Sequence, residues 1–297
     1  MSSKINYADK PWLSSYEQGV PPSIDYEDVS MPEFLNRTIN NFPDREAMIF
    51  QGYKITFSQF GDMVDRMAAA LKDFGINKGD SVAIVLPNLI PCAAAYFAVM
   101  KIGAVTVMNN PLYSDRELEH QFNDSNSKVL ITLDLLANRM IDLRSKTGIK
   151  QIIVTSIGDY LPFPKSLLFP LVAKKKKLAA DVKPADDVYR WKDIIKQYEP
   201  LTEIADISLD DPINYQYTGG TTGVSKGVVL THGNMSKQVQ QIAGWFPTFN
   251  KGEEIMLGAL PFFHVFGLTT VMNFSMLMGW TIILIPKPQP DPLIEAI

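Results

Sequence analysis

Between residues 46 and 155 the hydrophobic period keeps switching, and this switching narrows the fold more than any other feature of the chain. The stretch "DSVAIVLPN", Asp80 to Asn88, is an unbroken apolar run of the kind a strand shows when both its faces are covered in a parallel sheet. "AVTVMN", "KVLITL" and "QIIVTS" repeat the pattern further on. Helical spacing fills the gaps. "FSQFGDMVDRMAAALKDFG" carries Phe60, Met63, Val64, Met67, Leu71 and Phe74 three and four apart, and Gly75 closes it. "PCAAAYFAVMKIG", "SDRELEHQFNDS" and a segment near Leu135 to Lys146 also read as helices, with Ser114 and Glu117 at capping-box spacing. Upstream, "MPEFLNRTINNFPDREAMIF" predicts a helix ending near Phe42 and then a strand. Strand and helix in alternation predict βαβ units: an α/β fold of parallel sheets flanked by helices on both faces.

Composition sets the remaining bounds. A chain of 297 residues with 46% hydrophobic and 20% charged residues affords a sizeable core, as two domains or one large α/β domain. A net charge of −4 argues against a dedicated nucleic-acid binder, so no nucleic-acid partner is expected. The single cysteine, Cys92, excludes an intramolecular disulfide and a Cys-rich metal site, and it reads as a small buried thiol. "MSSKINYADKPW" has no apolar core of a secretory signal, which makes the cytoplasm the expected location. From Ile255 to Pro286 there is no Asp, Glu, Lys or Arg. Gly258, Pro261, Gly267 and Gly279 break this stretch up, and its helical piece, about 268–278, is shorter than the roughly 20 residues a bilayer requires. A buried strand, loop, helix and strand are expected there.

The alternation lapses in "YLPFPKSLLFPLVAKKKKLAADVKPADD", which holds prolines at 162, 164, 170 and 184 and the run Lys174 to Lys177. Two readings stay open. One is a solvated surface excursion with a basic tip. The other is an apolar patch beside a polybasic cluster, Tyr160 to Leu178, in peripheral contact with the inner face of the membrane. The expected organisation is a tail over 1–29 and a first α/β subdomain over 30–205 with this Pro/Lys-rich excursion near 160–185. The start of a second α/β subdomain follows over 206–297.

The second subdomain opens on "YQYTGGTTGVSKGVVLTH", Tyr215 to His232. A Walker A loop needs Gly-x4-Gly-Lys-Ser/Thr opening onto a helix. Here Lys226 follows Ser225 and precedes Gly227, and the flanks "INYQYT" and "GVVLTH" are strand-like. A strand-to-strand loop is therefore expected, with Thr231 or Asn234 capping the helix that comes after. Phosphate affinity must come from the loop itself. Gly219, Gly220 and Gly223 allow successive amides to form an anion-binding nest. Thr218, Thr221, Thr222 and Ser225 add hydroxyl donors, and Lys226 a point charge. A plain hairpin with a polar tip has no use for so many adjacent hydroxyls.

"YTGGTTGVSKG" followed by "VVLTHGNM" resembles the phosphate loop of the adenylate-forming acyl-CoA synthetase superfamily, particularly its long-chain fatty-acid branch. Gly219 and Ser225 stand where the common form has Ser and Pro, and both variants resemble the fatty-acid branch. "LPFFHVFG", Leu260 to Gly267, is similar to the element that lines the adenylate and acyl site; "KGDSVAIVLPN" and "MKIGAVTVMNNPLY" are weaker likenesses. The likeness runs from about Ser30 to the last residue.

The resemblance implies a ligase that activates a fatty acid with ATP to acyl-AMP and then forms acyl-CoA with coenzyme A. Mg²⁺ would bridge the phosphates, with no direct metal ligand in this chain. Thr218 to Gly223, Ser225, Lys226 and Gly227 would bind ATP phosphates, and Lys226 would offset charge on the leaving pyrophosphate. Phe262, Phe263, His264, Phe266 and Gly267 would line the acyl-adenylate pocket, with His264 orienting the carboxylate. From residues alone, His264 reads more readily as a hydrogen-bonded packing histidine than as a catalyst, and the Met-rich "VMNFSMLM" equally as core or as an acyl-tunnel wall. His232 and His120 read as a residue at a helix start and a helix-surface residue, and no metal site is expected from the histidines. A homodimer is a family expectation. The family's aromatic-Gly-x-Thr-Glu stretch, ribose-binding Asp and C-terminal lid with its lysine find no match, so the expectation is an N-terminal portion, inactive alone. A nucleotide- or acyl-binding module that works with a partner is the alternative.

Overall fold

The computed structural model describes residues 7–219, 224–290, 293 and 294, apart from the side chains of 174 and 175. The strands are β1 (Glu46–Phe50), β2 (Tyr53–Thr56), β3 (Ser81–Val85), β4 (Val105–Met108), β5 (Ser127–Leu133), β6 (Gln151–Thr155), β7 (Val188–Arg190), β8 (Pro212–Thr218), β9 (Lys226–Thr231), β10 (Ile255–Gly258) and β11 (Thr281–Leu284). The helices are α1 (Met31–Asn41), α2 (Phe57–Asp73), α3 (Ile90–Lys101), α4 (Asp115–Asp124), α5 (Asp134–Arg144), α6 (Lys165–Lys176), α7 (Trp191–Gln197), α8 (His232–Trp245) and α9 (Phe274–Met278). A seven-stranded sheet runs β7-β6-β5-β3-β4-β8-β9, parallel except for the β8–β9 hairpin, and a four-stranded sheet runs β10-β11-β1-β2.

The apolar run of β3 shows why the sheet is covered on both faces. Val82 and Ile84 point into one core, Ala83 and Val85 into another, and all four are fully buried. The smaller core is closed by α4 and α5 through Leu118, Phe122, Ala137 and Met140. The larger is filled by α1, α2 and α3 and shared with Met48, Phe50 and Ile282 of the second sheet. Helix α3 is buried along its whole length, as a helix apolar all round must be, and its one charge, Lys101, is paired with Asp65 of α2. Cys92 lies on it, and burial pushes its thiol up to about 12.

Local signals hold where they were read. The amide of Ser114 donates to Glu117 at 2.7 Å, a capping box at the start of α4. Thr231 and Asn234 form another at α8, with the Asn234 amide 3.2 Å from Thr231 Oγ1. Gly75 and Gly279 follow α2 and α9 at φ +80° and +68°, where a side chain would strain the backbone. The charge-free stretch folds as β10, a loop, helix and β11, although Gly267–Asn273 winds as a π-helix before α9. Among the described residues no helix is long and apolar enough to cross a membrane.

Three features depart from the sequence pattern. Both sheets draw strands from either side of residue 205, because β1 pairs with β11, and β8 pairs with β4. The stretch 1–29 is held down where it is described: Gln240 of α8 exchanges hydrogen bonds with the backbone of Glu27, and the Tyr16 and Trp245 rings lie 4.9 Å apart. The Pro/Lys-rich excursion contains a helix, α6, despite Pro170 in its interior. Proline there removes one backbone donor from the helical ladder.

Candidate functional site

The hydroxyl- and glycine-rich loop joins the antiparallel strands β8 and β9, with Thr218 opposite Lys226 and Tyr217 opposite Gly227. Gly220, Thr221, Thr222 and Gly223 lie outside the described residues. Thr218, Gly219 and Lys226 are exposed at the mouth of the hairpin, so a hydroxyl and an ammonium face solvent on paired positions. Gly227 packs under its partner: a Cβ there would stand 3.2 Å from the Tyr217 ring, which would have to shift to admit it.

Helix α4 fixes the base of this hairpin. His120 Nε2 lies 2.9 Å from the Ser225 carbonyl, and Gln121 Nε2 donates to Ser225 Oγ at 3.3 Å. The Tyr217 hydroxyl donates to Asp124 at 2.6 Å, and that carboxylate, with burial as the larger cause, raises the phenol pKa. Gln121 is itself held, its Oε1 accepting from Asn109 at 2.6 Å. His120, read from sequence as a surface residue, is half-buried because it spans from α4 to the loop.

A second set of bonds ties β8 to the aromatic segment 260–267. Thr106 on β4 donates to Asn214 at 2.9 Å, Asn214 donates to Gln216 at 3.3 Å, and Gln216 Nε2 donates to the Phe263 carbonyl at 3.1 Å. Asn88, just past the end of β3, completes the attachment. Its Nδ2 donates to the carbonyls of Gly258 and Leu260 at 2.9 and 2.8 Å, and its Oδ1 accepts from the Phe262 amide at 2.9 Å. Sequence reasoning passed over Asn88, Gln216 and Gln121. A polar residue directly after a buried parallel strand is the one signal that could have pointed to Asn88, since ligand sites gather at those strand ends.

Within the segment, Phe262 is fully buried in the larger core and Phe263 is half-buried. His264, Val265 and Phe266 are exposed, with the His264 ring 5.0 Å from that of Phe263. Gly267 is buried against the turn it ends: a Cβ there would come within 2.3 Å of the Pro261 carbonyl oxygen. At the entry to the π-helix that starts at Gly267, the Thr269 and Thr270 hydroxyls donate to the Val265 and Phe266 carbonyls at 2.7 and 2.5 Å. Such π segments recur at functional sites.

His232 begins α8 as expected but is fully buried, and neither ring nitrogen has a hydrogen-bond partner among the described residues. Burial lowers its pKa to about 4. Among the described residues no group of three or more His, Cys, Asp or Glu side chains is arranged to hold a metal ion.

Parallel sheets, flanking helices and a glycine-rich hairpin bonded to an aromatic turn define an α/β domain of the kind found in adenylate-forming enzymes. The chain belongs to the AMP-binding enzyme family, whose pattern matches residues 35–297. It is 39% identical over 98% of its length to a long-chain-fatty-acid–CoA ligase of Bacillus subtilis, covering 52% of that protein. It is 32% identical over 96% of its length to one of Yersinia pestis, covering 51%. Among solved structures, a long-chain-fatty-acid-CoA ligase from Archaeoglobus fulgidus shares the fold with a TM-score of 0.77 at 22% identity, over 95% of this chain and 52% of that one. The chain therefore spans about half the length of the curated relatives it matches.

Proposed function

We propose that this chain supplies the phosphate-loop half of a long-chain fatty-acid–CoA ligase. The observation that carries this is the Gln216 bridge to the Phe263 carbonyl, which ties the strand leading into the phosphate loop to the backbone beside His264. A nucleotide held by the loop and a carboxylate held near His264 would thereby share one rigid frame.

The chemistry runs in two steps. A fatty-acid carboxylate oxygen bonds to the α-phosphorus of ATP while the bond to the bridging oxygen breaks, and pyrophosphate leaves. The thiol of coenzyme A, losing its proton, then bonds to the acyl carbon and expels AMP. Thr218, Gly219 and Ser225, with Gly220, Thr221, Thr222 and Gly223, cradle the phosphates, and Gly227 allows the hairpin to close over Tyr217. Lys226 offsets charge that grows on the departing pyrophosphate. His264 orients the carboxylate and does no acid–base work. Phe263, Phe266 and Gly267 border the acyl group, and Phe262 supports them from the core. Mg²⁺ bound with ATP would supply positive charge to the phosphates, and no residue of this chain is proposed as its direct ligand. A cytoplasmic location, a peripheral contact of the Lys-rich segment with the inner membrane face, and a homodimer, the last supported by the family resemblance alone, belong to the same proposal.

The test is fatty-acid-dependent ATP–pyrophosphate exchange in the polypeptide that carries this chain. Lys226→Ala removes a charge-assisted hydrogen bond of roughly 1.5 to 3 kcal/mol, so exchange should slow by roughly 10- to 150-fold with fatty-acid binding intact. Lys226→Arg should recover little, because a planar fork does not replace a compact ammonium among glycines. Exchange at the wild-type rate by Lys226→Ala would refute the proposal.

A further inference from the structure

Helix α6 is turned inside out relative to an ordinary surface helix. Phe163, just ahead of it, is 82% exposed, Leu167 68%, Leu168 51%, Leu171 77% and Val172 41%. At 3.6 residues per turn the four helical members occupy one continuous face about 140° wide. This outward face is imposed by the fold. On the other side Ala173 is 1% exposed, and Phe169, one turn before it, packs on Gly158 so closely that a Cβ there would stand 2.4 Å from the ring. Lys165 Nζ donates to the Gln51 carbonyl at 3.0 Å and pins the start of the helix. An apolar face of this size held towards water calls for an occupant.

We propose that α6 is a membrane-surface anchor that lies in the headgroup region of an anionic bilayer, its apolar face towards the acyl chains. Charge identifies the occupant. Residues 160 to 180 contain five lysines, Lys165 and Lys174 to Lys177, and no Asp, Glu or Arg, in a chain whose net charge is −4. Lys176 and Lys177 are exposed at the end of the helix, beside the apolar face. A second copy seated on this face would bring lysine against lysine, whereas an anionic leaflet complements both the charge and the apolar stripe. An apolar face together with a polybasic cluster is the pair of signals that makes peripheral binding stable yet reversible. This gives the peripheral contact proposed above a specific helix. Its test uses neither ATP nor fatty acid, so it can fail while the ligase proposal stands, and the reverse.

The experiment is flotation of the 297-residue chain with phosphatidylcholine vesicles, with and without phosphatidylglycerol, at low and high salt. Binding is expected only with phosphatidylglycerol, and it should fall at high salt. Lys176→Gln with Lys177→Gln should weaken it by roughly 10- to 30-fold, and Leu167→Asn with Leu171→Asn by at least about 10-fold. All four positions are solvent-exposed, so circular dichroism and melting temperature should match wild type. Leu171→Cys, labelled with a polarity-sensitive thiol dye, reads depth directly, because Cys92 is buried and inert to the reagent. The dye should report an apolar setting on anionic vesicles. No binding to anionic vesicles, equal binding by wild type and both double variants, or a dye that stays in water would each overturn the proposal. So would self-association in lipid-free solution that Leu167→Asn with Leu171→Asn abolishes while no vesicle binding is seen, which would assign the face to a second copy.

Discussion

Asn88 and Phe262, 174 residues apart in sequence, meet through a 2.9 Å hydrogen bond from the Phe262 amide to the Asn88 side chain. The Asn88 side chain reaches back with the two protons of Nδ2 to the carbonyls of Gly258 and Leu260. One buried side chain thus bonds to three backbone groups at the end of β10 and in the turn beyond it, where the Gly258 carbonyl also takes the Ile285 amide but the Leu260 carbonyl and Phe262 amide lie outside any strand. The turn presents His264, so the end of β3 sets the position of the aromatic segment.

Replacing Asn88 by alanine should therefore cost more than a typical polar substitution. Three bonds are lost, and the Phe262 amide and Leu260 carbonyl lose the Asn88 partner while the Gly258 carbonyl keeps the Ile285 amide, which amounts to about 2 to 4 kcal/mol. Asn88→Asp should be no better at pH 7, since a carboxylate accepts from Phe262 but repels the two carbonyls. Urea denaturation of the 297-residue chain measures both. A loss below about 0.5 kcal/mol for Asn88→Ala would mean that the turn is held elsewhere.

His120 should act on the loop and not on the fold. His120→Phe retains the edge-to-face packing on Tyr217, whose ring lies 6.2 Å away, and deletes only the bond to Ser225. One neutral hydrogen bond is worth about 1 kcal/mol, so the amides of Lys226 and Val228 should exchange with solvent about fivefold faster. The melting temperature should barely move. Unchanged exchange in β9 would show that α4 does not secure the hairpin.

Much of this was legible in the sequence, and the reasons for the rest are specific. The period switches of β3 to β6 and the Ser114–Glu117 box are local, so the pattern alone exposes them. The pairing of β1 with β11 joins residues more than 230 positions apart and leaves no local trace. Helix α6 is hidden by Pro170, and His120 by its resemblance to any polar helix residue. Asn88 after a strand looks like a turn former. The loop was legible as chemistry, through its hydroxyls and glycines. Its attachment to α4 and to Phe263 was not, because each bond depends on a tertiary contact.

Gly267 should resist even alanine. The added Cβ would press on the Pro261 and Leu260 carbonyl oxygens at 2.3 and 2.9 Å, and backbone atoms cannot swing aside as a flexible side chain can. Overpacking of this type costs about 1 to 3 kcal/mol. The Leu260 carbonyl is also an Asn88 acceptor, so the two sites share a partner. A double-mutant cycle of Gly267→Ala with Asn88→Ala should show coupling of at least about 0.5 kcal/mol. Strict additivity would separate them.

His232 gives the fold a pH dependence whose sign follows from its burial. The side chain is fully buried, and its pKa falls to about 4, with burial the main cause. Asp211 and Glu33 oppose that shift and Lys78, paired with Asp211 at 2.7 Å, adds to it. In the unfolded chain an ordinary histidine titrates near 6.5, so between about 6.5 and 4 the unfolded state binds a proton that the native state refuses. Stability is therefore complete above pH 6.5 and is lost as pH falls towards 4, by roughly 3 kcal/mol in all. The carboxylates with lowered pKa, Glu33, Asp80, Glu117 and Asp211, lose their contributions at lower pH, whereas burial raises Asp65 and Asp134, which favours the fold as pH falls, so the His232 contribution is read from the difference between the two chains. His232→Leu should flatten the curve between about pH 6.5 and 4. At pH 7.5 it should alter stability by less than about 1 kcal/mol, since the ring nitrogens give up no partner among the described residues. Urea melts of both chains from pH 7.5 to 4.5 decide the matter: curves that run parallel throughout would mean that His232 takes up its proton in the folded state as readily as in the unfolded one.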